Sequence, residues 1–190
     1  MYINHLRWSR YILPNGRKIF LTQRPDRLTY SMEAIEFIER EKVGIRFQYT
    51  DDWVDFPDIV PSKWFVWVPG KEPTIESVYS SIITLQKYNE LLPIEQSFWM
   101  HCDSSSMRAP TYFGLFLHAT YKEKVVEISD TINVFPEKDF EYASHSRPDL
   151  YAGYTLGRNK EISDLIKWFQ KGEKYAYYYL MGYDMEYWGK

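Results

Sequence analysis

The chain has one cysteine, Cys102, in the stretch HCDSSSMR at residues 101–108. Five residues separate its thiol from the guanidinium of Arg108. A thiol becomes a nucleophile when its pKa is lowered. A strand end feeding the N-terminus of a helix lowers it through main-chain N–H groups and the helix dipole. A planar guanidinium matches two phosphate oxygens at once, better than an ammonium does. Five intervening residues let the loop curl so that sulfur and guanidinium face one anion. A phosphate also needs several N–H donors in a concave turn. The competing reading of Cys102 is an inert, small buried hydrophobe.

Such a loop needs a strand before it and a helix after it, and the sequence offers both. Residues 97–101 (SFWMH) read as a short strand, and 110–121 as an apolar, aromatic helix. Upstream, Pro14-Asn15-Gly16 reads as a turn between strand-like runs at 8–13 and 18–22. Met32, Ile35, Phe37 and Ile38 recur near helical period over 31–41, with Gly44 placed as the helix stop. Residues 45–49 alternate as a strand, 51–61 form an acidic loop with prolines, and 64–68 form a compact buried strand. Thr74 caps a helix that runs to about Leu91 on the stripe Ile75, Val78, Tyr79, Ile82 and Leu85; Pro93 follows it. Residues 125–134 are strand or irregular, 141–158 are expected to be loop with turns, and 159–170 (NKEISDLIKWFQ) form an amphipathic helix closed by Gly172. The expected fold class is α/β, a central mixed or mostly parallel sheet flanked by helices, in a single domain over 1–190. Ligands of such sheets sit at the carboxyl ends of strands.

His-Cys-x5-Arg between a strand and a helix resembles the cysteine-dependent protein tyrosine phosphatases, and in its spacing the compact dual-specificity branch. The resemblance covers the order of elements from roughly Leu28 to Tyr121. It implies a phosphomonoester hydrolase acting on phosphotyrosine, phosphoserine or phosphothreonine through a phosphocysteine, with no cofactor and no metal. Cys102 is the implied nucleophile and Arg108 the group that holds the equatorial oxygens. His101 orients the loop, and Asp103 to Met107 give the substrate-binding amides. A carboxylic acid on a separate loop is implied as proton donor. After the strand at 64–68 the candidate is Glu72, whose other reading is a solvated first-turn carboxylate. Asp58 is the second candidate, with Asp55 and Asp52 on the same loop.

The chain departs from the family in three places. Ser105 stands where Gly is frequent. Ala109 stands where Ser or Thr helps the thiolate to leave; either Ser104, Ser105, Ser106 or Thr111 takes over that task, or breakdown of the phosphoenzyme is slow. Asp103 places a negative charge beside the nucleophile, which raises a thiol pKa unless its side chain points away. The alternatives are a pseudophosphatase that binds phosphorylated partners, or a phosphatase of a small phosphate ester.

The remaining features narrow the class. A net charge of −3 speaks against broad nucleic-acid or membrane-surface binding. One Cys allows no intrachain disulfide, the four His show no ligand spacing, and no apolar run reaches the ~18 residues of a membrane span. A cytoplasmic setting is the expectation. His118 reads as a hydrogen-bonded core residue, His145, Arg147 and Asp149 as polar loop, and the aromatic tail at 175–188 as core or edge strand.

Overall fold

The computed structural model describes residues 8–22, 24, 31–52, 60–67, 72–102, 108–121 and 148–172. Five strands, β1 (Trp8–Ile12), β2 (Lys18–Thr22), β3 (Val43–Thr50), β4 (Ser62–Val66) and β5 (Ser97–His101), make one sheet in the order β1-β2-β5-β3-β4. β1 and β2 are an antiparallel hairpin; the other three pairings are parallel. Among the described residues, five helices accompany them: α1 (Ser31–Arg40), α2 (Ile75–Leu91), α3 (Arg108–Thr120), α4 (Pro148–Arg158) and α5 (Lys160–Gln170). The α/β class and the mixed sheet are as the sequence implies.

Side chains alternate across a strand, and the two faces are covered unequally. Phe20 and Trp99 share a small core with Ala34, Phe37 and Ile38 of α1. Ile19, Leu21, Ile45, Phe47, Phe98 and Met100 face the larger core, built with α2, α3, α4 and α5. α5 shows the balance of forces. Ile162, Leu165, Ile166 and Phe169 are buried on one stripe, each contributing about 1.5–3 kcal/mol. The exposed Lys160–Asp164 pair at 3.0 Å adds at most ~0.5 kcal/mol. Burial holds this helix, and Asn159 caps it by accepting from the Ile162 N–H at 3.0 Å.

Several expectations need correction. Gly44 is not the stop of α1. That helix ends at Arg40, and Lys42 takes the left-handed position with φ 52°. Gly44 lies inside β3, where the β3–β5 register shifts. A Cβ there would come within 3.0 Å of Gln96 Cβ and 3.1 Å of Leu92 Cδ1, so close approach of the chains explains this glycine. Residues 148–158, expected as loop, are α4. Two glycines, Gly153 and Gly157, hide its period, but Ala152 is fully buried against α3 and packing overrides propensity. The strand at 64–68 runs instead from Ser62 to Val66, and α3 begins two residues early, at Arg108. The segment at 125–134 and the aromatic tail lie outside the described residues.

One buried cation ties the hairpin to the rest. Arg17 is fully buried, and all its N–H donors are used. Nε donates to Asn89 Oδ1 at 2.8 Å, Nη1 to the carbonyls of Pro93 and Gln96 at 2.8 and 2.7 Å, and Nη2 to those of Asn89 and Leu92 at 3.0 and 2.8 Å. Those carbonyls end α2 and lead into β5, and the last turn of a helix leaves just such acceptors unpaired.

Candidate active site

Every residue of β5 is buried. Cys102, the next residue, continues the alternation of Phe98 and Met100 into the larger core and is 2% exposed. Arg108 opens α3, so the strand expected before the Cys loop and the helix expected after it are both present. Pro110 fits the first turn of that helix because N–H groups there have no intrahelical acceptor. The first turns of α3 are tightly seated. Tyr112 stacks on Tyr49 with ring centroids 4.5 Å apart, and its hydroxyl meets Ser77 Oγ of α2 at 2.5 Å. Tyr49 in turn reaches Ser81 Oγ at 3.0 Å. Burial raises the pKa of both phenols, so they stay neutral.

The guanidinium of Arg108 meets a carboxylate. Its Nη1 donates to Asp51 Oδ1 at 3.3 Å, and the Arg108 side chain is 12% exposed. Asp51 is the first residue past β3, the strand beside β5. The tip of β3 is held in place by polar contacts. Gln48 Nε2 donates to Thr50 Oγ1 at 2.8 Å and to the Asp52 carbonyl at 3.0 Å. The Thr50 hydroxyl donates to the same carbonyl at 2.5 Å, and Trp64 Nε1 to the Thr50 carbonyl at 2.9 Å. Asp52, one of the acid candidates, pairs with Arg24 at 3.2 Å.

His101 is fully buried on the opposite face from Cys102, its ring 5.5 Å from that of Trp99. Arg46 Nη1, from β3, lies 3.5 Å from its Nε2, and Arg46 Nε donates to Ser62 Oγ at 2.9 Å. Burial first, then the positive charge of Arg46, push the His101 pKa down to about 3. The ring is therefore neutral at neutral pH. Its Nδ1 makes no hydrogen bond among the described residues, and the Cys102 main chain offsets part of the lowering of the ring's pKa.

Glu72 is exposed and follows in sequence on β4, a strand two places from β5, or roughly 10 Å across the sheet. With Trp64, Trp67, Thr74, Glu76 and Ser77 it lines a groove of about 440 Å³. Arg108 and Asp51 thus meet just past the end of β3, and His101 and Cys102 stand at the end of the neighbouring β5. Asp103, Ser104, Ser105, Ser106, Met107, Asp55 and Asp58 lie outside the described residues, as do His145 and Arg147. Asp149 is in the first turn of α4, not in a loop. His118 is half-buried in the last turn of α3, its pKa lowered by burial and raised by Asp149. Among the described residues no three His, Cys, Asp or Glu gather as a metal site, and no helix is long and apolar enough to cross a membrane.

Sequence reasoning passed over Asp51 and Arg46. A signal existed for each. Two acids follow directly on a strand in DD at 51–52, and Arg46 interrupts the apolar run Ile45–Phe47, where a buried charge needs partners.

Compared with solved structures, the chain matches a protein tyrosine phosphatase of Trypanosoma cruzi with a TM-score of 0.54. The identity is 11%, over 86% of this chain and 76% of that one. A Trypanosoma brucei protein tyrosine phosphatase matches with a TM-score of 0.52 and 12% identity, over 86% and 73%. The fold is that of the protein tyrosine phosphatases. In that fold the strand order brings Cys102 and Arg108 to the carboxyl rim although the sequences share little. No protein-family model matches the chain, and no curated protein matches it in sequence.

Proposed function

We propose that this chain hydrolyses phosphomonoesters of phosphoproteins (phosphotyrosine, phosphoserine or phosphothreonine) through a phosphocysteine at Cys102, as a single dual-specificity-like catalytic domain. The thiolate attacks phosphorus in line: an S–P bond forms and the ester P–O bond breaks. Glu72 gives a proton to the leaving oxygen, then takes one from the water that attacks the phosphocysteine and releases inorganic phosphate. Arg108 and the main-chain N–H groups of residues 103–107 hold the equatorial oxygens and stabilise the charge they gain in the transition state. Asp51 keeps the Arg108 fork in register, and His101 orients the start of the loop. No cofactor enters the scheme.

One observation carries this proposal: in a phosphatase fold, Cys102 directly follows the central strand and Arg108 begins the next described helix. The test is hydrolysis of an aryl phosphate, whose good leaving group hardly needs an acid, together with mass spectrometry of the quenched protein. Turnover and a phosphate adduct on Cys102, both lost in Cys102→Ser, are expected. If the wild-type chain shows neither, and vanadate does not protect Cys102 from alkylation, the proposal fails. Protection without turnover would identify a phosphate-binding pseudophosphatase instead.

A further inference from the structure

Arg46 and His101 form a contact that the scheme above does not use. Both are buried, and they meet across the β3–β5 pair, Nη1 to Nε2 at 3.5 Å. A guanidinium has five donors and no acceptor, and it keeps its charge at all working pH values. A proton on Nε2 would set donor against donor and a polar N–H against a full positive charge. The single proton of the neutral ring therefore belongs on Nδ1. This arrangement has a cost, since a buried donor without a full hydrogen bond costs about 1–3 kcal/mol, and Nδ1 is in that position. Among the described residues, Arg46 is the group that a contact places at Nε2. The charged groups acting on the ring there are Arg46, from β3, and Arg24, past β2. Both are cations, so neither favours a second proton.

We propose that Arg46 is a positioning residue: it fixes the His101 proton on Nδ1, and through that ring, on the residue bonded directly to Cys102, sustains the reactivity of the thiol. The first half stands on the contacts alone. The second half rests on the phosphatase reading.

The test uses the full chain labelled with ¹⁵N, with the His101 ring nitrogens assigned by their loss in His101→Gln. The expected spectrum shows Nδ1 protonated and Nε2 bare, unchanged from about pH 5 to 8. Arg46→Lys, which keeps a donor and a charge, retains that state. Arg46→Met, of similar length but uncharged, moves proton onto Nε2. The rate of Cys102 alkylation by iodoacetamide at pH 7 supplies a second readout. In Arg46→Met alkylation slows about tenfold, and Arg46→Lys restores it. A wild-type ring protonated on Nε2, or titrating within the range, overturns the inference even if Arg46→Met does not fold. A ring that stays in the Nδ1–H state in Arg46→Met overturns it too. A changed tautomer with an unchanged alkylation rate overturns the second half. A chain with the expected tautomer but no phosphate adduct refutes the phosphatase reading and leaves the first half standing.

Discussion

Asp51 Oδ1 lies 3.3 Å from Arg108 Nη1, joining the end of β3 to the start of α3. The carboxylate is 42% exposed, so the pair adds at most about 1 kcal/mol to stability. Its effect lies in aim. A guanidinium that must meet two phosphate oxygens at once loses more from a wrong angle than from a weaker charge.

Asp51→Asn is expected to lower kcat/KM for an aryl phosphate by about 10- to 100-fold. Its unfolding free energy should change by less than about 1 kcal/mol. Steady-state kinetics and urea titration check the two halves, and an unchanged kcat/KM would show that Arg108 needs no such guide.

Ala109, fully buried directly after Arg108, leaves no hydroxyl there to assist the departing thiolate. Rapid mixing with an aryl phosphate is expected to give a burst near one equivalent, followed by slow turnover. Ala109→Ser should shrink the burst and speed the steady state, and Cys102→Ser should abolish both phases. A linear trace that Ala109→Ser leaves unaltered would place the slow step elsewhere.

His101 makes stability depend on acid. In the fold the ring takes a proton only near pH 3, whereas an unfolded histidine does so near 6.5. Between those values the unfolded state binds more protons, so stability is full above about pH 6.5 and falls as the pH falls. His118, also lowered, acts in the same direction. Unfolding free energy should drop by about 2 kcal/mol between pH 7 and pH 5 through His101. Urea titrations of wild type and His101→Asn decide this, because the variant should show a clearly shallower dependence; equal slopes would exclude His101 as the cause.

Gly114 is the point where α3 and α4 touch. A Cβ there would run into the Pro148 carbonyl oxygen and lie 2.7 Å from Ala152 Cβ. Backbone cannot retreat as a side-chain tip can, so Gly114→Ala is expected to cost about 1–3 kcal/mol. Thermal melts measure the loss. A variant as stable as wild type would mean that α4 can shift without penalty.

These residues also show how far the sequence speaks. The Cys strand, the capped helix α2 and the amphipathic α5 were legible because period, cap and stop agree along each segment. Helix α4 was hidden because its stability comes from a contact with Gly114 on another helix. Gly44 looks like a helix stop because a glycine after a helix and one at a register shift look alike in a sequence. At the site, Cys102 and Arg108 are legible from spacing. The Asp51 and Arg46 contacts depend on β3 lying beside β5, which only strand order reveals.

The guanidinium of Arg17 gives the opening hairpin a structural duty far from its own turn. By grasping the carbonyls between α2 and β5, it fastens the root of the strand that carries the sulfur. The β1–β2 ribbon is thus an anchor for the reactive end of the sheet rather than a detachable flap, and damage to the first two strands would be felt at Cys102.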